Sequence, residues 1–324
     1  MPQDCDPSLV ACFGILADVQ YADVDDVVKY GRCRYYRGSI QNLQQALQHW
    51  QNEPKFSFIL QLGDLIDGFR TQNANITDEC LEKVLNTFVN NGFPLHQVLN
   101  IWGNHELFAF KRSTIAHSVL NTSRMLKQNL DKPSNFYFFD VTDRLRLICL
   151  DEYEHSVLGY HEQEAIFVES NKLINDKLLL RLEATDDAHK KYLERFKNWN
   201  GGVSDDQLGW LSKQLEYCNN SNKKVLLAGH IPLRAETSDS CAVWNSESIL
   251  DLIWSYDNLV VAYLAGHYHA GGYFLDKKNI HHLTLNGMLE SPVDSNNAFV
   301  TVYIYNDRIF FKNQIEERSF SVSY

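Results

Sequence analysis

The stretch Leu62-Gly63-Asp64-Leu65-Ile66-Asp67 follows directly on the apolar run Phe56-Ser57-Phe58-Ile59-Leu60. Bounded by Pro54 before and Gly63 after, the run has the pattern of a buried strand that ends in a sharp turn. Asp64 then stands at the strand's carboxyl end, the edge where ligands bind in open α/β sheets, and its two carboxylate oxygens can each reach a different cation. Taken alone, Gly-Asp-Leu is also what an ordinary strand-ending turn would carry, since Asp and Gly are among the commonest turn residues. What decides the reading is whether the pattern recurs.

It recurs four times. Ala11 to Ala17 is a short apolar run that ends in Asp18-Val19-Gln20, with Asp18 and Gln20 expected on one face of an extended segment. Pro94 to Trp102 reads as a third strand and leads into Gly103-Asn104-His105-Glu106, an amide oxygen and an imidazole presented from a tight turn. Lys223 to Ala228 ends in Gly229-His230, where Pro232 stops regular pairing. Leu259 to Ala265 ends in Gly266-His267-Tyr268-His269, two histidines at i and i+2 that suit two neighbouring metals.

Between these blocks the periodicity changes. Helices are expected from Ser39, as N-cap, through Leu47, and from Cys80 to Val89, closed by Asn91-Gly92. Asn135 to Phe139 and Leu145 to Leu150 form a hairpin, followed by Asp151 as a turn residue. A polar helical insert is expected at about 161–200. Ser204 and Gln207 stand at capping-box spacing before a helix from about Asp205 to Cys218. The tail from Tyr273 onward alternates like antiparallel strands. No repeat or linker interrupts the chain, so residues 1–324 read as one domain.

Composition narrows the function. With 324 residues, 44% apolar and 22% charged, the chain can bury a substantial core. Thirty basic against 41 acidic residues give a net charge of −11, which argues against nucleic acid as the partner. Met1 to Pro7 lacks a basic n-region and an apolar h-region, so no secretory signal is expected, and no apolar run is long enough for a membrane span. Seven cysteines without C-x-x-C spacing fit free thiols and a cytoplasmic location.

The ordered set Asp18-x-Gln20, Gly63-Asp64-x-x-Asp67, Gly103-Asn104-His105-Glu106, Gly229-His230 and Gly266-His267-x-His269 resembles the calcineurin-like metallophosphoesterases. That resemblance covers Ala11 to about Leu285 and implies a four-layer α/β/β/α sandwich with two central mixed β-sheets. It also implies one divalent ion held by Asp18, Gln20, Asp64 and His269, and a second held by Asp64, Asn104, His230 and His267. Two cations about 3.5–4 Å apart activate a water and neutralise phosphoryl oxygens. His105 would stabilise the transition state or protonate the leaving oxygen, with Asp67 orienting it by analogy with other members.

Most of the family carries histidine where this chain has Gln20. An amide oxygen is a harder ligand, so manganese or magnesium is expected over zinc. Gly68 replaces the arginine that protein Ser/Thr phosphatases carry after the aspartate, which argues against a phosphoprotein substrate. The D-x-Q variant, the insert before Gly201-Gly202-Val203-Ser204 and the segment Asn286-Gly287-Met288-Leu289-Glu290 resemble the manganese-dependent ADP-ribose/CDP-alcohol diphosphatase branch. The resemblance implies a small nucleotide diphosphate substrate, ADP-ribose or CDP-choline. A cyclic-nucleotide phosphodiesterase, a nuclease or a metal-free scaffold on the same fold are the rival readings.

Overall fold

A computed structural model describes residues 6–70, 74–293, 295 and 298–323, so the segment Met1 to Cys5 lies outside the described residues. Among the described residues, fourteen strands run in chain order: β1 Leu9–Leu16, β2 Val27–Lys29, β3 Arg32–Arg34, β4 Phe56–Gln61, β5 Val98–Asn100, β6 Tyr137–Thr142, β7 Leu145–Cys149, β8 Lys224–Ala228, β9 Val260–Ala265, β10 Ala270–Leu275, β11 His281–Asn286, β12 Phe299–Tyr305, β13 Arg308–Asn313 and β14 Phe320–Ser323. The helices are α1 Gly38–Trp50, α2 Ala74–Asn90, α3 Asn104–Ala109, α4 Arg112–Ile115, α5 Thr122–Met125, α6 Ala165–Glu183, α7 Asp187–Leu193, α8 Asp205–Asn220 and α9 Ser246–Trp254.

Two six-stranded mixed sheets form the centre, ordered β14-β13-β12-β1-β4-β5 and β10-β11-β9-β8-β7-β6. β4 is parallel to both β1 and β5, and β8 is parallel to both β7 and β9. Strands buried on both faces need apolar residues at nearly every position, which is why β4, β8 and β9 read as continuous runs rather than alternations. Phe13, Ile15, Phe58 and Leu60 of the first sheet meet Leu147, Leu226 and Leu264 of the second in the core between the sheets. On the other face of the first sheet the Trp50 indole covers Gly14, where any side chain would collide with the ring, and donates to Thr301 Oγ1 at 3.0 Å. Leu211, Leu215, Ile249 and Ile253 form the buried stripes of α8 and α9. Helix, sheet, sheet and helix make the four layers.

Several local expectations change. Ser39 is not the N-cap of α1; it lies inside the first turn and donates to the Tyr36 carbonyl at 2.9 Å. The third strand is reduced to Val98–Asn100 by a 3₁₀ turn at Leu95–Gln97. Half of the expected capping box forms, since Ser204 Oγ accepts from Gln207 N while the Gln207 side chain is committed to Asp151 and Glu154. β11 pairs antiparallel with β10 but parallel with β9, so the tail is not a simple antiparallel meander. Between β1 and α1, β2 and β3 pair as a hairpin turned by Tyr30 and Gly31 at positive φ.

Asp151 is more than a turn. It is buried and holds the guanidinium of Arg112 through two hydrogen bonds of 2.6 and 3.0 Å, while Arg112 is itself only 3% exposed. Among the described residues no helix is long and apolar enough to cross a membrane.

Candidate metal centre and active site

The carboxyl ends of β1, β4, β5, β8 and β9 open onto one cleft of about 440 Å³. Gln20, Asp64, Asn104, His105, His267 and His269 line it, and Asp18 and His230 lie fully buried. All eight side chains singled out from the sequence therefore meet at one place. Lys29, Tyr30 and Arg34 of the hairpin, with Phe69, Trp199 and Tyr268, form its rim.

The loops that carry these groups are held in conformations a regular strand could not supply. Asp18, Gln20, Asp64 and His267 have φ of 55°, 41°, 63° and 68°. Left-handed backbone at a non-glycine residue costs on the order of 1–3 kcal/mol and persists where its surroundings over-determine it. Asp18 and Gln20 are thus not on the face of an extended segment; each curls past the strand end. Gln20 N donates to Asp64 O at 2.8 Å, and Asp18 N to Gly63 O at 3.1 Å, tying the first two loops together. Gly63 and Gly103 pack so closely that a Cβ on either would strike His230 Nδ1 or Asp64 Oδ1 respectively.

Glu106 clamps this junction from beneath. Its carboxylate accepts from Asp64 N at 2.8 Å, Leu65 N at 2.5 Å and Gly103 N at 2.9 Å. Burial and the Asp64 charge push the Glu106 carboxyl up to about 7, against those three N–H donors. Glu152 does the same for the His230 loop, accepting from Ile231 N at 2.6 Å and from Tyr263 OH. Neither role is marked in the sequence: no spacing assigns Glu106 a partner, and Glu152 follows Asp151 with no pattern to distinguish it.

Within the cleft the polar atoms crowd together. Asp64 Oδ2 lies 3.0 Å from Gln20 Nε2 and 3.4 Å from His230 Nε2. His230 Nε2 is 3.1 Å from both Asn104 Oδ1 and His267 Nδ1. His269 Nε2 is 2.9 Å from Gln20 Nε2 and 3.5 Å from Asp18 Oδ1. Atoms about 2.1 Å from a small octahedral ion stand about 3.0 Å apart, so these separations match the edges of a coordination shell. Asp64, His230 and His267 alone bring ligand atoms within 4.8 Å of one another.

Three further observations fit a cation here. Each histidine has an outer partner at the nitrogen that does not face the cluster: His230 Nδ1 is hydrogen-bonded to Leu62 O at 2.7 Å, His267 Nε2 to Asn200 Oδ1 at 2.7 Å, and His269 Nδ1 lies in ion-pair contact with Glu290 Oε1 at 3.0 Å. Outer partners of this kind are how ligating histidines are held. Second, the Gln20 amide oxygen is buried without a hydrogen-bond partner. A half-turn of the amide would bring that oxygen to the place its nitrogen now fills between Asp64 and His269.

Third, the cluster demands positive charge. Burial opposes charging the His230 ring, yet Asp64 outweighs it and raises the ring to about 10. His269 is raised to about 9 against burial by Asp18 and Glu290. His267 goes the other way, pushed well below the ordinary value by burial and by His230. Asp64, despite burial, is held below the usual carboxylate range by His230 and His105. Protons on two rings do here what divalent ions would do. The donor set of carboxylate, amide oxygen and imidazole suits manganese, magnesium or zinc.

His105 stands beside this cluster. Its Nδ1 accepts from Gly68 N at 3.1 Å, which leaves the ring proton on Nε2, 4.0 Å from Asp64 Oδ2. Asp67 Oδ1 is 3.6 Å from Nδ1 and accepts from Phe69 N and Arg70 N. The nearer partner of the ring is thus the Gly68 amide, and Asp67 shapes the turn that supplies it.

Comparison with known proteins agrees with this geometry. Residues 13–271 match the family model described as calcineurin-like phosphoesterase. The manganese-dependent ADP-ribose/CDP-alcohol diphosphatase of Mus musculus is 36% identical over 97% of this chain and 93% of its own length; that of Arabidopsis thaliana is 30% identical over 92% of each. The crystal structure of a dimetal phosphatase from Danio rerio superposes with a TM-score of 0.87 at 32% identity, covering 98% of this chain and 99% of its own. With a family model spanning most of its length and full-length relatives above 30% identity, the chain belongs to the calcineurin-like phosphoesterases.

Proposed function

We propose that this chain is a two-metal hydrolase that cleaves the pyrophosphate bond of ADP-ribose, giving AMP and ribose 5-phosphate, and of CDP-alcohols such as CDP-choline, giving CMP and phosphocholine. The observation that carries the reading is the convergence of Asp18, Gln20, Asp64, Asn104, His230, His267 and His269 on one cleft. The end-to-end similarity to diphosphatases of that name supports the substrate class.

Asp18, Gln20, Asp64 and His269 would hold one divalent ion, and Asp64, Asn104, His230 and His267 the other. Manganese is the proposed metal, in keeping with the relatives' name and with the hard amide oxygen of Gln20. When bound, such ions acidify a water and neutralise phosphoryl oxygens. The chain's own groups do the rest. Asp64 keeps both halves of the site in register, since its Oδ1 also accepts from His105 N at 2.8 Å. His105, with its N–H on Nε2 and facing the cleft, donates a hydrogen bond that stabilises the charge developing on the leaving oxygen. Lys29 and Arg34 offer cationic groups to the second phosphate, and the aromatic rim offers faces to the base.

We read residues 1–324 as one metallophosphoesterase domain with a helical insert at about 161–200. Cys12, Cys33, Cys80, Cys149, Cys218 and Cys241 are free thiols, which supports a cytoplasmic location, and the acidic balance favours a small-molecule substrate over nucleic acid.

The test strips the protein of metal, restores manganese, magnesium or zinc singly, and identifies products from ADP-ribose, CDP-choline, cyclic AMP and single-stranded DNA, with Asp64→Ala as control. Manganese-restored hydrolysis of the two pyrophosphates, absent in Asp64→Ala, is the expected result. Hydrolysis of cyclic AMP or DNA alone would replace the substrate assignment.

A further inference from the structure

We propose that the helical segment α6–α7 braces the second metal site through Asn200, a positioning residue for His267; this rests on the two-metal reading above.

Asn200 is 1% exposed, and both ends of its amide are committed. Its Nδ2 donates to the Arg195 carbonyl at 2.8 Å. A carbonyl can only accept, so the amide orientation is settled and Oδ1 is the atom that faces His267 Nε2 at 2.7 Å. Oδ1 in turn can only accept. His267 therefore carries its proton on Nε2 and presents the lone pair of Nδ1, the nitrogen that sits 3.1 Å from His230 Nε2 within the ligand cluster. Cys241 Sγ adds a donor to the same Oδ1 at 3.5 Å.

The strap that carries Asn200 is fixed from two sides. Arg195, 7% exposed, donates from one guanidinium nitrogen to Ser246 Oγ and Glu247 Oε1, each at 2.7 Å, pinning the strap to the start of α9. Phe196 seats in a small separate core with Trp244, Leu193 of α7, and Leu173 and Ile174 of α6. That contact accounts for an otherwise odd helix: of nineteen residues in α6 only Ser170 is fully buried, so its packing serves the strap and not the main core. Tyr153 OH lies 3.4 Å from both the Trp199 carbonyl and Asn104 Oδ1, two acceptors that compete for its single proton, so the support from residues 195–200 is direct at His267 alone.

The experiment titrates manganese into metal-free full-length wild type, Asn200→Ala, Asn200→Asp and Phe196→Ala, reading stoichiometry and affinity by calorimetry, bound ion by electron paramagnetic resonance, and kcat and KM separately. Circular dichroism and thermal midpoints of the metal-free proteins control for folding. Losing an outer-shell partner typically costs 10–100-fold in metal affinity. Asn200→Ala should weaken one of two manganese sites by about that factor, leave the other intact, and lower kcat at subsaturating metal with little change in KM. Asn200→Asp, whose carboxylate still accepts from His267 Nε2 but has no donor for the Arg195 carbonyl, should recover the affinity in part. Phe196→Ala should shift the same site in the same direction. Two sites of wild-type affinity in Asn200→Ala would overturn the brace. A weakened site in Asn200→Ala with none in Phe196→Ala would remove the helical segment from it. A wild type that binds no manganese would instead overturn the metal reading, and the brace with it.

Discussion

Glu290 Oε1 stands 3.0 Å from His269 Nδ1 and 3.2 Å from Arg34 Nε, so one half-buried carboxylate joins an imidazole of the site to the hairpin that rims the cleft. Burial would raise the Glu290 carboxyl, but His269 and the arginines hold it below its ordinary value, and it remains an anion. An anion at Nδ1 makes the opposite nitrogen a stronger donor to a cation. Glu290→Gln keeps the shape and removes the charge, and it should weaken manganese binding at the first site by about 10–100-fold. Calorimetric titration of metal into the two proteins checks this. Equal affinities would mean that Glu290 serves Arg34 alone.

His105 is the one proposed catalytic group outside the metal shells. Removing one hydrogen-bond donor to developing charge typically costs about 10²–10³-fold, so His105→Ala should lower kcat within that range while two manganese ions still bind. His105→Gln, which retains an N–H donor, should recover part of that loss. Single-turnover kinetics at saturating metal makes the comparison. An unchanged kcat would remove His105 from the chemistry.

What was legible in the sequence were the strands whose burial on both faces requires an unbroken apolar run, and the polar residue at the end of each. Asp18, Gln20, Asp64, Asn104, His105, His230, His267 and His269 could be picked out because short spacings carried them past strand ends. Groups that support them from a distance could not. Asn200 reaches His267 across 67 positions and Glu290 reaches Arg34 across 256, and neither has a periodicity to announce it. The same holds for Asp151, whose role depends on Arg112, 39 residues away. The left-handed turns at Asp18 and Gln20 were also hidden, because those residue types are not the glycine that usually signals such a backbone. Ser39 misled for a related reason: a serine near a helix start satisfies either a cap or the preceding carbonyl, and tertiary packing chose the second.

Far from the cleft, His281 predicts a response to acid. Its ring stacks on Phe320 at 4.2 Å and lies 2.9 Å from Tyr273 OH through Nδ1. Burial and the neighbouring His282 push it down to about 4. The unfolded chain, with a histidine near 6.5, therefore binds the proton more readily than the folded one. The contribution is fully present above pH 6.5 and is lost as pH falls towards 4. Allowing for the part of the ring that meets solvent, it amounts to ~1 kcal/mol. His281→Phe keeps the stacking and cannot charge. Its thermal midpoint should fall less than that of wild type between pH 7 and 4.5. Parallel slopes for the two proteins would contradict the assignment.

Gln20 offers the sharpest test of the first site. Its amide nitrogen lies 3.0 Å from Asp64 Oδ2 and 2.9 Å from His269 Nε2, while its oxygen is buried without a partner. An N–H donor in that position is compatible with the carboxylate only in the absence of a cation; with one present the same side chain must turn its oxygen inward. Gln20→His replaces that hard oxygen by a softer nitrogen, which must be unprotonated to bind. The variant should accept zinc more readily relative to manganese than wild type does. Its manganese loading should also fall more steeply than that of wild type as pH drops towards ~6.5, because a fourth titratable ring joins His230, His267 and His269. The sign follows from competition: below that value a proton occupies the lone pair the metal requires, whereas the wild-type amide has no proton to gain. Metal titrations of both proteins with manganese and zinc across pH 5.5 to 8 provide the measurement. The same metal preference and the same pH dependence in both would show that Gln20 does not ligate, leaving Asp18, Asp64 and His269 to hold the first ion without it.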